Sequence, residues 1–121
     1  MVDDVKPGHK YYNDVEYVLK NDLMALESEG KFNPEALVTV GQFNYAFNKI
    51  NGTDNDTTGI ESVTVEEFAL KILDSAAEKD LMGMIKGIFL ACDIFLSNLF
   101  NTSSAVTRGE AANYIARFDK I

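Results

Sequence analysis

The chain has a single cysteine, Cys92, and no tryptophan. One cysteine excludes a disulfide within the chain and any metal centre built from several thiolates. Cys92 lies in the apolar stretch I-F-L-A-C-D-I-F-L. Free cysteine in such a setting behaves as a small hydrophobic residue, so we expect Cys92 to be buried and unreactive.

Basic residues are also few, since 11 Lys and Arg stand against 19 Asp and Glu, for a formal net charge of −8. They are scattered and form no cluster interleaved with aromatic residues. Nucleic acid is therefore not an expected partner, because phosphate neutralisation requires a positive stripe. An anionic membrane surface is disfavoured for the same reason.

No apolar run is long enough to predict a transmembrane helix. The most hydrophobic segment, residues 81–100, is interrupted by Lys86 and Asp93, which favours a buried helix over a membrane span. The start, M-V-D-D-V-K-P-G-H-K, is polar and acidic and does not resemble a signal peptide. A mature domain expressed without its leader would look the same.

A chain of 121 residues, 46% of them hydrophobic, is sufficient for one domain with a real core. Apolar residues recur mostly at steps of three and four, which predicts an all-α domain of about five helices. We expect a flexible leader over 1–10 and a single helical domain over 11–121. The predicted helices cover residues 12–29, 39–50, 64–77, 79–100 and 107–119.

One helix-start signal is written three times, as V-T-V-G-Q-F at 38–43, V-T-V-E-E-F at 63–68 and V-T-R-G-E-A at 106–111. A threonine followed three residues later by Glu or Gln is a capping box. The valine before the threonine and the residue four positions after it form a hydrophobic staple. Because all of these positions recur in register, we interpret the signal as an internal repeat.

The repeated units are unequal in length. A predicted helix precedes the first and third signals, whereas only the polar loop 51–59 precedes the second. The units therefore span approximately 11–51, 52–77 and 78–121, and the middle unit lacks its first helix.

These residues resemble the S-layer homology family of bacterial surface proteins. Its repeats read approximately as an aromatic-x-D-V start, a helix, a G-x-F-x-P loop and a helix opened by (V/I)-T-R-A-E-F. Here Y-N-D-V at 12–15, G-K-F-N-P at 30–34 and the three helix starts correspond to that pattern. The closest match is A-V-T-R-G-E-A-A-N-Y-I-A-R-F at 105–118.

The resemblance implies a pseudo-threefold arrangement of the helix starts and non-covalent attachment to a cell-wall polysaccharide. It also implies that the arginine and acidic residue of the motif lie near the ligand groove. Arg108 and Glu110 keep both positions, and Glu67 and Gln42 keep the second one. Val40 and Val65 stand where the family has arginine, so the implied cationic site is complete only in the last unit.

The loop 51–59 also permits a calcium-binding interpretation. Asp54, Asp56 and Thr58 followed by Gly59 match the first half of an EF-hand loop. The register then fails, because the twelfth position from Asp54 is a valine and Glu67 lies two residues further on. Asn, Asp, Thr and Gly are ordinary turn residues, which explains the loop without a metal.

No pattern predicts catalysis, since no serine lies in a G-x-S-x-G setting and no glycine-rich phosphate loop precedes a helix. We therefore expect a protein that is not an enzyme and needs no cofactor, with calcium as a possible exception. The expected function is that of an extracellular bacterial surface domain that binds cell-wall polysaccharide or other surface proteins. The alternatives are an EF-hand-like calcium module and a helical interaction module that self-associates through the helix 79–100.

Overall fold

The computed structural model describes residues 2–121. Its helices are α1 (Tyr12–Lys20), α2 (Val40–Asn51), α3 (Val65–Ala76), α4 (Leu81–Ser97) and α5 (Arg108–Asp119). Over this range the extended segments form isolated β-bridges but no strand or sheet. The predicted all-α fold class is therefore confirmed. None of the described helices has the length and apolar character needed to cross a membrane.

All three predicted capping boxes are present. The threonine hydroxyl accepts from the backbone N–H of the third helical residue at 3.1–3.2 Å, and the Gln or Glu side chain accepts from the threonine N–H at 2.9–3.0 Å. The caps are Thr39 with Gln42, Thr64 with Glu67, and Thr107 with Glu110. The staple residues are buried, so each helix start is fixed both by hydrogen bonds and by packing.

The three helix starts are joined by backbone hydrogen bonds into a closed ring. In each unit the first helical residue donates its N–H to the carbonyl three positions before the capping threonine of the next unit. These bonds are Val40 to Glu61 (2.8 Å), Val65 to Ser104 (3.0 Å) and Arg108 to Ala36 (2.7 Å). The second helical residue donates to the carbonyl five positions before that threonine: Gly41 to Gly59, Glu66 to Thr102 and Gly109 to Pro34, each 2.9 Å.

The equal offsets of these bonds give the repeat a pseudo-threefold arrangement. The second residue of α2 is Gly41, and a side chain does not fit there because a Cβ would overlap the carbonyl oxygen of Thr57. Inside the ring, aromatic side chains fill the core, with ring centroids 4.8–5.9 Å apart. The rings belong to Phe43, Phe47, Phe68, Tyr114 and Phe118.

The first helix of a unit packs on the second helix of the preceding unit, as α4 packs on α3 and α1 packs on α5. A first helix of the middle unit would therefore lie on α2. The chain has no helix between Asn51 and Val65, which confirms that this helix is missing. A loop lies against α2 instead, where Asn44 donates to the carbonyl of Asp56 at 2.7 Å and Asn48 to that of Asn55 at 2.9 Å. The exact unit boundaries stay a prediction.

The first predicted helix was too long, because α1 ends at Lys20 rather than at residue 29. Asp22 has a φ of 55°, a left-handed conformation that Asp tolerates better than most residues, and the N–H of Leu23 bonds back to the carbonyl of Val18 at 2.8 Å. Leu23 and Met24 are then buried without a helix. Their spacing continued the helical period although the backbone had already turned.

The structure also differs from the expectation of a loose leader at residues 3–5. The side chain of Val5 is 2% exposed, and the N–H of Asp3 donates to the carbonyl of Gly30 at 2.6 Å. The Asp4 carboxylate accepts from the N–H groups of Phe32 and Asn33 at 2.9 and 2.8 Å. The start of the chain therefore holds the G-K-F-N-P loop in place.

Two expectations about the fourth helix are wrong. We expected a buried central helix, but α4 buries only the face that contains Gly87, Leu90, Ala91 and Ile94. Its outward face is apolar and exposed. Cys92 lies on the outward side and is exposed rather than buried. The sequence shows that this helix is hydrophobic all round, but that pattern does not reveal that one side has no partner within the chain.

Candidate functional site

An open groove of about 780 Å³ lies between the segment 23–28, the start of α2 and the first residue of α5. It brings together parts of all three units. The lining residues that have polar side chains are Glu27, Ser28, Asn33, Thr39, Gln42, Tyr45, Thr57 and Arg108. The structure therefore places two of the residues singled out from the sequence, Arg108 and Gln42, at one site.

Arg108 lies at the floor of this groove, and its side chain is 1% exposed. Its Nε donates to the carbonyl of Phe32 at 2.8 Å, and one terminal nitrogen donates to that of Ala25 at 2.6 Å. The guanidinium also lies over the Phe32 ring, 4.4 Å from the centroid. The planar guanidinium thus ties the two ends of the segment 25–32 to the start of α5.

The carboxylate of Glu27 connects the polar groups at the groove. Its two oxygens accept from the side-chain amides of Asn33 and Gln42, both at 3.0 Å. One of these oxygens lies 3.8 Å from Nε of Arg108, with the Glu27 side chain 31% exposed. Glu27 therefore offsets the charge of Arg108 and leaves the groove with hydrogen-bonding groups of little net charge.

The pKa directions follow from these contacts. Burial acts to raise the pKa of Glu27, but the hydrogen bonds from Asn33 and Gln42 and the charge of Arg108 outweigh it, so that pKa is lowered. Burial lowers the pKa of Arg108 from its ordinary value, against the opposing effect of Glu27 and then of Asp4. A guanidinium stays protonated in proteins, so at neutral pH this is a pair of opposite charges.

Gln42 has two tasks, which explains why the first helix start carries an amide where the others carry an acid. Its Oε1 accepts from the N–H of Thr39 to close the cap, and its Nε2 donates to Glu27. A glutamate at this position would place two carboxylates in contact and would raise the pKa of one of them. The departure from the acidic pattern is therefore a consequence of the groove.

Glu67 and Glu110 are not among the residues that line the groove. Their carboxylates close the caps of α3 and α5. Ligand binding by these two residues stays a prediction. Glu27 and Tyr45 were missed, since each meets the site only through contacts between distant parts of the chain. The G-K-F-N-P pattern did mark the loop that contains Asn33.

The proposed calcium ligands are not assembled in the structure. The Asp56 carboxylate accepts from the N–H and hydroxyl of Thr58 at 3.1 and 2.8 Å, an ordinary turn contact. From residue 2 to the end of the chain, no group of three or more His, Cys, Asp or Glu side chains is placed to hold a metal ion. Calcium binding by Asp54, Asp56 and Thr58 stays a prediction.

The comparison with known families agrees with the fold and the groove. Residues 3–43 match the family model described as S-layer homology domain. This segment contains α1, the G-K-F-N-P loop, the first helix start and most of the groove, so the recognition made from the sequence is confirmed over about a third of the chain. No curated protein matches the chain.

This segment is similar to S-layer homology domains, and the match suggests association with a cell surface or cell wall. Domains of this class are non-catalytic binding modules, which favours a binding role over an enzymatic one. The groove is one feature of the described residues that could provide such binding.

Proposed function

We propose that this domain attaches a bacterial surface protein non-covalently to a cell-wall polysaccharide, and that the groove at Arg108 is the binding site. The observation that supports it most is that the segment matched to the S-layer homology domain forms most of the groove wall. The location that follows is the outside of the bacterial cell, at its wall or surface layer.

The chemistry of the groove favours sugar hydroxyls over strongly anionic groups. Its uncharged polar side chains, which both donate and accept hydrogen bonds, are Ser28, Asn33, Thr39, Gln42, Tyr45 and Thr57. The charge of Arg108 is offset by Glu27, and the whole chain carries a net charge of −8. A densely anionic polymer would be repelled by this surface, whereas a hydroxyl-rich segment would be accommodated.

Arg108 acts here as a positioning residue. With 1% of its side chain exposed and two donors bound to the carbonyls of Ala25 and Phe32, it fixes the groove wall from beneath. Two groups above it, the side chains of Gln42 and Tyr45, are partly exposed and accessible to a ligand. We expect contacts to the polymer from these upper groups.

The test places a large side chain in the groove without changing Arg108 or the carbonyl groups that it binds. Ser28 is exposed, and its backbone, not its side chain, makes the turn bonds to Lys31. Ser28→Trp should therefore block the groove and reduce pelleting with purified cell-wall sacculi by roughly tenfold in apparent affinity. Ser103→Trp, at an exposed serine in a different turn, is the matched control and should pellet as the unchanged protein does.

Equal pelleting of both tryptophan variants would exclude the groove as the binding site. Arg108→Ala should also weaken pelleting, measured at a temperature where circular dichroism shows that the variant is folded. Retained affinity in that folded variant would remove Arg108 from the site. Competition by a neutral wall polysaccharide, and not by a polyanion of similar length, would support the proposed ligand class.

A further inference from the structure

The outward face of α4 exposes large apolar side chains in a continuous stripe. Phe89 is 69% exposed, Leu96 71%, and Phe100, just beyond the helix, 92%. We call this surface the α4 face. Its members are Leu81, Met82, Ile85, Ile88, Phe89, Leu96, Leu99 and Phe100. Exposed apolar patches of this kind mark interaction surfaces in proteins of this size.

The fold itself does not require an apolar outward face on this helix. The helix α1 has the corresponding place, because each of the two is the first helix of its unit and packs on the second helix of the preceding unit. The outward residues of α1 are polar, and they include Asn13, Glu16 and Lys20. The contrast between α1 and α4 indicates that the α4 face serves a contact outside the domain.

The spacing on α4 indicates that the missing partner is another helix. Within the helix, apolar residues follow one another at alternating steps of four and three, at Leu81, Ile85, Ile88, Cys92 and Phe95. This is the heptad spacing that packs side chains of one helix between those of a second. Phe95 is half-buried and also packs against the domain core. Met82, Phe89 and Leu96 flank the seam at intervals of seven residues.

Two charges within the stripe restrict which helix can pair with it. Lys86 and Asp93 are both exposed and lie two turns apart on the same side as Phe89. Asp93 pairs with Arg117 at 2.7 Å, whereas Lys86 has no ion pair with any residue from 2 to 121. A partner helix with an acid opposite Lys86 would pair this charge as well as cover the stripe.

A second copy of α4 in antiparallel orientation meets this condition. With the twofold axis between residues 89 and 90, Lys86 of each copy lies opposite Asp93 of the other. In a parallel pair each flank of the helix would face the opposite flank of its partner, so Lys86 would have no acid across from it. Only the antiparallel arrangement brings Lys86 and Asp93 together, so the charge pattern favours it.

We propose that the α4 face is a homodimer interface in which two copies of this chain pack α4 against α4 in antiparallel orientation. The face exposes eight large apolar side chains, and a standard interface buries about 800 Å² per partner. The two Lys86–Asp93 pairs set orientation and register, and the apolar stripe supplies most of the buried area.

Charge reversal tests this arrangement by sedimentation equilibrium. Lys86→Glu places two acids opposite each other at both pairs, and Asp93→Lys does the same with two lysines. Each variant alone should raise the dimer dissociation constant roughly tenfold or more, and an equimolar mixture should restore dimers because the heterodimer pairs opposite charges at both positions. Asp93→Lys also loses the exposed pair with Arg117, which contributes little to folding.

Lys20→Glu is the matched control, since it makes the same charge change on the outward face of α1 and should leave the dimer intact. Oxidation of the single cysteine gives an independent reading of orientation. In the antiparallel pair the two Cys92 positions are offset by five residues, about 7.5 Å along the axis, in addition to the 8–10 Å between helices, which is too far for a disulfide.

A mass of one chain at all concentrations would overturn the proposal, as would a dimer that is indifferent to Lys86→Glu. Ready formation of a Cys92 disulfide within the dimer would show a parallel pair and would contradict the antiparallel one. Dimers that form only in the mixed variants, together with a dimeric unchanged protein, would establish both the partner and the register.

Discussion

The second helices α3 and α2 occupy equivalent places in the ring but carry different neighbours. A helix, α4, lies on α3, while a polar loop lies on α2. The difference is already present at three equivalent positions, which lie five, nine and twelve residues after the capping threonine. They hold Ala69, Leu73 and Ala76 in α3, and Asn44, Asn48 and Asn51 in α2.

The comparison shows what each kind of neighbour requires. Small apolar residues let two helices approach closely, so closely that a Cβ at Gly87 of α4 would overlap the Cβ of Ala76. An extended loop has unpaired backbone groups, and the amides of Asn44 and Asn48 bond to them. The loss of a helix is thus matched by side chains that can satisfy a backbone.

The largest effect should come from placing the α2 residue into α3. Ala69 is 0% exposed, and Ala69→Asn would bury an amide beneath α4 and enlarge a side chain where there is no space. We expect the free energy of unfolding to fall by about 3 kcal/mol. Urea denaturation measures it, with the reverse exchange Asn44→Ala as the control, which loses one hydrogen bond and should cost about 1 kcal/mol. If Ala69→Asn and Asn44→Ala lowered the free energy of unfolding equally, α3 and α2 would not differ in the kind of neighbour that each requires.

The next effect concerns the loop on α2. Asn48 donates to the carbonyl of Asn55, and its Oδ1 accepts from the N–H of Asn55 and the hydroxyl of Thr53. Asn48→Ala should lower the free energy of unfolding by about 1.5 kcal/mol and expose residues 53–58 to proteolysis. Asp54→Ala, in the same loop, is the control, because the Asp54 side chain makes no hydrogen bond to any residue from 2 to 121. A loop that resists protease equally in both variants would show that Asn48 does not hold it.

The caps should behave alike in all three units, whatever lies on the helix. Thr39→Ala, Thr64→Ala and Thr107→Ala each remove one hydroxyl acceptor from a capping box and should each cost about 1 kcal/mol in denaturant unfolding. The corresponding serine variants keep the hydroxyl and should cost less. A cost for Thr64→Ala and Thr107→Ala but not for Thr39→Ala would show that the caps depend on the helix partner, because α3 and α5 each carry one and α2 does not. The difference between α2 and α3 would then extend into the ring.

These caps are the part of the fold that the sequence predicts best, because a capping box is complete within four residues. The missing helix was predictable for a similar reason, since the segment 51–59 has no apolar period. The end of α1 was not, because Leu23 continues the helical spacing after Asp22 has turned the backbone. The exposure of α4 was also missed, since hydrophobicity alone does not say whether the neighbour is in the same chain.

The groove was predictable only in part. The resemblance singled out Arg108, but its contacts to Ala25 and Phe32 join residues that are 83 and 76 positions apart. No local pattern marks Glu27, which meets Gln42 only when the segment 23–28 has turned back over α2. The arginine was therefore found by its motif, and its burial beneath the groove is a consequence of tertiary packing.

The smallest expected effect is a pH dependence that the loop on α2 should show and that the contact between α3 and α4 should not. The hydroxyl and the N–H of Thr58 bond to the Asp56 carboxylate and lower its pKa from 3.8, an effect that desolvation opposes only weakly. The stabilisation that these bonds give to the loop is therefore fully present above the ordinary pKa of an aspartate. It is lost as the pH falls through the lower pKa that Asp56 has in the folded state. The loop on α2 should loosen in acid while the apolar contact between α3 and α4 is unchanged. NMR exchange of the Thr58 amide measures this between about pH 5 and about pH 2, and Asp56→Asn should abolish the pH dependence. If that amide exchanged independently of pH after correction for intrinsic rates, the Asp56 carboxylate would not contribute to holding the loop.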